Sequence, residues 1–158
     1  MSVEIRELIG EIEKSNEILG RMENIYKERS EWFSAEDKGL EKAVLLSEVF
    51  VTYYTCVETL LFRISQCFEN SLPKDRWHSE LLRKMNLMIP DIREKVISDE
   101  TFAILDEFRK FRHFKRYYFS MDYDWDRLNF LRKKFERLLI LLPADFGKFH
   151  GFLLRLDV

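Results

Sequence analysis

The sequence predicts an all-α protein, a bundle of about five helices with the last one kinked. Three observations carry that expectation. Apolar residues recur at three- and four-residue spacings along most of the chain. Only 5 Gly and 3 Pro punctuate 158 residues that are rich in Leu, Glu, Lys and Arg, all good helix formers. No segment shows the strict alternation of a half-buried strand. This length fits a single domain, residues 1–158, able to bury a core without disulfide or metal staples.

In the first element, Ile5, Leu8, Ile9, Ile12, Leu19, Met22, Ile25 and Tyr26 form one stripe, with Glu, Lys and Arg opposite, so a long amphipathic helix is expected. A polar break spans Glu28 to Asp37. Within it Ser34-Ala35-Glu36-Asp37 resembles a capping box that would start a second helix near Ala35 and carry it to about Asn70. From Ala43 to Phe68 this helix is apolar on nearly every side, as befits the centre of a bundle or a subunit interface.

Leu72-Pro73 breaks the chain, and Pro73 suits the first turn of a third helix carrying Trp77, Leu81, Leu82, Met85 and Met88, closed by Pro90. Ser98 before Asp99 and Glu100 supplies a hydroxyl cap and two acids at the positive end of a fourth helix. Asp122 and Asp124 mark a turn and the cap of a last helix with Leu128, Leu131, Phe135, Leu138, Leu139 and Leu142 facing inward. Pro143 is expected to kink or interrupt it.

A net charge of -2 and a pI near 6.0 exclude a globally basic, histone-like binder, so any nucleic-acid contact must come from a local patch. Cys56 and Cys67 match neither a zinc pattern nor a secreted disulfide framework and read as buried thiols. The amino terminus has no charged-then-apolar signal region, and no apolar run approaches the roughly 18–20 residues of a membrane span. A cytoplasmic protein is expected, with no membrane contact.

The concentrated patch lies on the fourth helix. Arg109, Lys110, Arg112, Lys115 and Arg116 fall within eight residues without an acid among them, interleaved with Phe108, Phe111, His113, Phe114, Tyr117, Tyr118 and Phe119. Cations and aromatics together suit phosphates and bases. The plainer alternative is a solvated helix face balanced by Glu107, Asp122, Asp124 and Asp126. Arg109, Arg112, His113 and Arg116 share one broad helical face, which Tyr117 extends. Glu58, inside the apolar second helix, must find a partner, and a guanidinium at Arg109 or Arg112 is the obvious candidate. Trp77-His78 reads as packing of a helix start, with a second site as the alternative. His150 is isolated, and one histidine cannot make a metal site.

Three blocks occur in order: Leu72-Pro73-Lys74-Asp75-Arg76-Trp77-His78-Ser79-Glu80-Leu81-Leu82, then Leu105-Asp106-Glu107-Phe108-Arg109-Lys110-Phe111-Arg112-His113, then Asp124-Trp125-Asp126-Arg127-Leu128. With Tyr54 and Glu58, they resemble the HepT-like branch of the HEPN superfamily, over roughly residues 48 to 156. The resemblance implies an all-α HEPN-type homodimer, the toxin of a toxin–antitoxin module whose antitoxin is a small MNT-type nucleotidyltransferase. It also implies metal-independent RNA cleavage, with no cofactor, by an Arg-x4-His-x-Tyr motif in a cleft between subunits.

Laid on this chain, the motif Arg falls on Arg112, its His on Tyr117 and its Tyr on Phe119, so two of three positions depart from the pattern. An unperturbed phenol of pKa about 10 is ionised only to about one part in a thousand at pH 7, a weak replacement for an imidazole. His113 or Tyr117 remain as candidates for proton transfer beside Arg112. Arg116 is a second phosphate contact, Arg109, Lys110 and Lys115 are further RNA-binding cations, and Glu58 orients the arginine. In the family the partner enzyme can attach AMP to the motif tyrosine; Phe119 has no hydroxyl, which leaves Tyr117 or Tyr118 as acceptors. Two functions follow: a ribonuclease, active or weakened, or a non-catalytic interaction subunit that partners a nucleotidyltransferase.

Overall fold

The apolar run at the centre of the sequence becomes the axis of the molecule. In the computed structural model, which describes residues 2–69, 71–117 and 122–156 apart from the side chain of Tyr117, the helices are α1 (Val3–Glu28), α2 (Ser30–Ser34), α3 (Leu40–Phe68), α4 (Trp77–Met85), α5 (Asp99–Tyr117) and α6 (Trp125–Arg155). Among the described residues there is no strand, only an isolated bridge between Ile89 and Arg93. All five other helices pack on α3 or on a helix that touches it. Arg63 pairs with Glu11 while Tyr53 lies nearer Glu23, so α1 runs antiparallel to α3.

Leu46, Phe50, Tyr53, Val57 and Leu61 of α3 are buried against Ile12 and Tyr26 of α1, Phe108 of α5 and Phe135 of α6. Edge-on ring pairs, Phe50 with Phe108 at 5.2 Å and Tyr53 with Phe135 at 4.9 Å, fix the rotation of α5 and α6 about α3. By length and hydropathy α3 is itself long and apolar enough to cross a membrane, which corrects the expectation that no run approaches a span. Packing on several sides gives a central helix the same all-round apolarity.

Several boundaries differ from the expected ones. A sixth helix, α2, occupies the polar break, because Phe33 buries itself under Tyr26 with ring centroids 5.8 Å apart. The capping box does not form: the Ser34 hydroxyl donates back to the Ser30 carbonyl at 2.9 Å, Ala35 is extended, and α3 begins only at Leu40 after Gly39. Pro73 precedes the first turn of α4 rather than lying in it, and α4 ends at Met85, leaving Met88 64% exposed. Pro143 sits on the exposed side of α6, which continues through it without interruption. Cys56 and Cys67 are half-buried, and burial pushes both thiols up.

The start of α5 is anchored as its sequence suggests. The Ser98 hydroxyl accepts from the Thr101 amide at 3.2 Å, and Asp145 of α6 accepts from the Ser98 amide at 3.0 Å and the Thr101 hydroxyl at 2.5 Å. This anchor fixes the register in which α5 carries its cations past α3. Asp124 likewise caps α6, accepting from the Asp126 amide at 2.9 Å.

Candidate functional site

Glu58 lies about two thirds of the way along α3 with its side chain only 7% exposed. A lone carboxylate so placed would cost several kcal/mol of desolvation, so its neighbours decide whether it is tolerated. Three groups from three helices meet it. Tyr54, one helical turn earlier on the same face, donates its hydroxyl to Oε2 at 3.0 Å. From α5, Nη2 of Arg112 reaches both carboxylate oxygens at 2.9 Å. From the first turn of α4, Nδ1 of His78 lies 2.9 Å from Oε2.

Each partner is itself held. Burial, with Glu58 beside it, pushes the Tyr54 phenol far above its ordinary range, so its hydroxyl keeps its proton and acts as a donor. The Arg112 guanidinium stacks over the Tyr54 ring at 4.7 Å and donates through Nη1 to the Thr55 hydroxyl at 3.3 Å. The His78 imidazole stacks on Trp77, centroids 3.7 Å apart, and Trp77 in turn packs on Phe62 of α3.

Above this cluster a small cleft of about 90 Å³ is lined by His78, Arg109, Arg112, His113 and Arg116. Among the described residues its lining holds three guanidiniums and two imidazoles and no acid. The α5 residues reach it because 109, 112, 113 and 116 recur on one helical face. Such a concave, cationic lining attracts anions, and planar guanidiniums suit phosphate oxygens in particular.

The cationic patch therefore divides. Arg109, Arg112, His113 and Arg116 come together, whereas Lys110 turns away to Asp106 at 3.2 Å and Lys115 to Glu48 at 3.2 Å. Arg109 lines the cleft but is tethered through Nε to Asp106 at 2.8 Å. Burial raises the Asp106 carboxyl, yet Arg109 and Lys110 outweigh it and hold the group below the usual carboxylate range. Lys115 does the same to Glu48. Of the acids expected to balance the patch, Glu107 pairs instead with Arg127 of α6. Tyr118 and Phe119 lie outside the described residues, as does the Tyr117 side chain.

Glu58 lies against Arg112 and not Arg109. His78 was missed as a site residue: Trp77 does pack a helix start, but its neighbour joins Glu58 and Arg112. No local spacing signals this, because the contact joins α3 to α4 across an irregular loop. Among the described residues no three His, Cys, Asp or Glu side chains are grouped so that they could hold a metal ion.

Fold and site together define a class: an all-α protein that sets a cationic helix face on a buried carboxylate. Residues 45–153 match a family model described as HepT-like protein. The chain belongs to this family, in the HepT-like branch of the HEPN superfamily, and is related to toxin–antitoxin proteins. The matched span contains Tyr54, Glu58, His78, Arg112 and the rest of the cleft, whereas α1 and α2 precede it. Comparison with curated proteins and with solved structures gives no match.

Proposed function

We propose that this protein is the RNA-directed member of a HepT-like toxin–antitoxin pair, binding single-stranded RNA in the cleft beside Arg112 and cleaving it without a metal ion. The lining of that cleft, cationic and without an acid among the described residues, carries the proposal. Cleavage within RNA requires a group to take the 2′-hydroxyl proton and positive charge to hold the developing phosphorane. Arg112 and Arg116 supply the charge, and Glu58 and Tyr54 hold Arg112 in place. In this reading the protein acts in the cytoplasm as a homodimer with two clefts near its two-fold seam, and an MNT-type nucleotidyltransferase is its antitoxin.

The purified protein is expected to cut single-stranded RNA in EDTA, and Arg112→Ala to lose most of that activity. A parent that does not cut RNA overturns the proposal, as does an Arg112→Ala variant that binds and cuts RNA as the parent does. One observation favours a second reading, a non-catalytic interaction subunit: tyrosine stands at 117, where the family motif has its histidine. Co-purification with the nucleotidyltransferase and no toxicity when expressed alone supports it, and growth arrest on expression argues against it.

A further inference from the structure

The imidazole at position 78 belongs neither to the basic patch nor to the family motif, yet it is the one held by the buried carboxylate. We propose that His78, oriented by Glu58, is the proton-transfer group of the cleft and stands in for the imidazole absent at Tyr117. This inference rests on the RNA-cleaving reading above and adds a catalytic residue to it.

The hydrogen-bond geometry selects the tautomer. An ionised carboxylate only accepts, so Nδ1 at 2.9 Å from Glu58 Oε2 must carry a proton; a lone pair there would face the oxygen's own lone pairs. Arg112 Nη2 also lies 3.2 Å from Nδ1, but it is closer to the two carboxylate oxygens, to both of which it donates at 2.9 Å. With Nδ1 protonated, the neutral ring keeps its basic lone pair on Nε2. A carboxylate behind an imidazole fixes the ring's tautomer and steadies the imidazolium that forms when Nε2 takes a proton. Trp77 holds the ring face, and the His78 side chain is 38% exposed where it lines the cleft with Arg112 and Arg116.

The reaction needs no atom from outside the RNA and solvent. Nε2 of His78 takes the proton of a 2′-hydroxyl, and the 2′-oxygen forms a bond to the adjacent phosphorus. The bond from phosphorus to the 5′-oxygen breaks, and that oxygen takes a proton from water. The imidazolium then returns its proton to the hydroxide left behind, leaving a 2′,3′-cyclic phosphate and a 5′-hydroxyl. Arg112 faces the phosphoryl oxygens as charge builds on them.

The test compares the full-length protein with His78→Asn, His78→Ala and Glu58→Gln in cleavage of a single-stranded RNA oligonucleotide in EDTA, with melting curves and RNA affinity measured on the same samples. Asparagine keeps a donor for Glu58 but cannot take a proton at neutral pH. His78→Asn is expected to lower kcat by about 10²–10⁴ with RNA affinity nearly unchanged, and to abolish the ascending limb of the pH–rate profile. Added imidazole should partly restore His78→Ala, which a merely structural histidine would not permit, and Glu58→Gln should displace the same limb. A cleaving parent matched by an equally fast His78→Asn overturns the role of His78 and leaves the nuclease reading standing. A parent that does not cleave overturns both.

Discussion

Among the described residues two carboxylates buried in the bundle pair with guanidiniums, Glu69 with Arg93 and Glu58 with Arg112, and the pairs are used in opposite ways. At the far end of α3, Arg93 is fully buried and engages Glu69 through Nε and Nη2, while it also donates to the carbonyls of Leu87 at 2.8 Å, Glu94 at 3.2 Å and Lys84 at 2.8 Å. Four hydrogen bonds and the ion pair thus engage all three nitrogens, and the pair ties the end of α3 to the last turn of α4. About two thirds of the way along α3, Arg112 reaches Glu58 through one nitrogen and Thr55 through another, while Nε and one Nη1 hydrogen find no hydrogen-bond partner among the described residues. Its side chain is 16% exposed, against 0% for Arg93. A guanidinium with every nitrogen engaged inside the protein stabilises it. One with donors in reserve at a cleft can still bind something else.

The largest effect that would sharpen this contrast is on stability. Arg93→Met leaves Glu69 buried without its cation and the surrounding carbonyls short of donors, a loss of about 3–5 kcal/mol that lowers the melting temperature by roughly 6–20 °C. Thermal unfolding checks this, and the RNA affinity of the protein that remains folded should not change. Arg112→Ala comes next. Tyr54 and His78 still serve Glu58, so the stability cost is smaller, about 1–3 kcal/mol by urea denaturation, while RNA binding weakens. Equal stability losses with equal effects on RNA would break the contrast.

The smallest effects come from the exposed rim. Asp106→Asn releases Arg109 and Lys110 toward the cleft, and low-salt RNA affinity should rise a few-fold, an advantage that added salt removes. The same substitution bears on acid sensitivity. The folded protein holds the Asp106 carboxyl below its ordinary range, so its ion pairs stabilise the fold at neutral pH and are lost as pH falls through the folded-state value. Unfolding at neutral pH and again below the carboxylate range should show a smaller acid-induced loss in the variant, by under about 1 kcal/mol because the group is partly exposed.

Much of this was legible in the sequence because helical periodicity is local. The stripe from Ile5 to Tyr26, apart from Ile25, which is exposed, the all-round apolarity of α3 and the caps at Ser98 and Asp124 each depend on residues within a turn or two of one another. Glu58 could be read as needing a guanidinium because an apolar helix cannot leave a carboxylate alone. The helix α2 was not legible, since five residues give too little periodicity and its reason for forming is the distant ring of Tyr26. Lys110 and Lys115 were grouped with the arginines by sequence proximity, although about 100° of rotation per residue carries neighbours to different faces. His78 meets Glu58 only because α4 folds back across α3, and no local pattern encodes that return.

The central claim is that Arg112, unlike Arg93, offers its charge to a polyanion. It is tested most directly by the salt dependence of single-stranded RNA affinity for the parent and for Arg112→Ala, on samples matched for folded fraction. The parent should bind more tightly at every salt concentration, and the variant's slope of log affinity against log salt should be shallower by about 0.7, the loss of one phosphate contact per site. Superimposable affinities and slopes would contradict the claim.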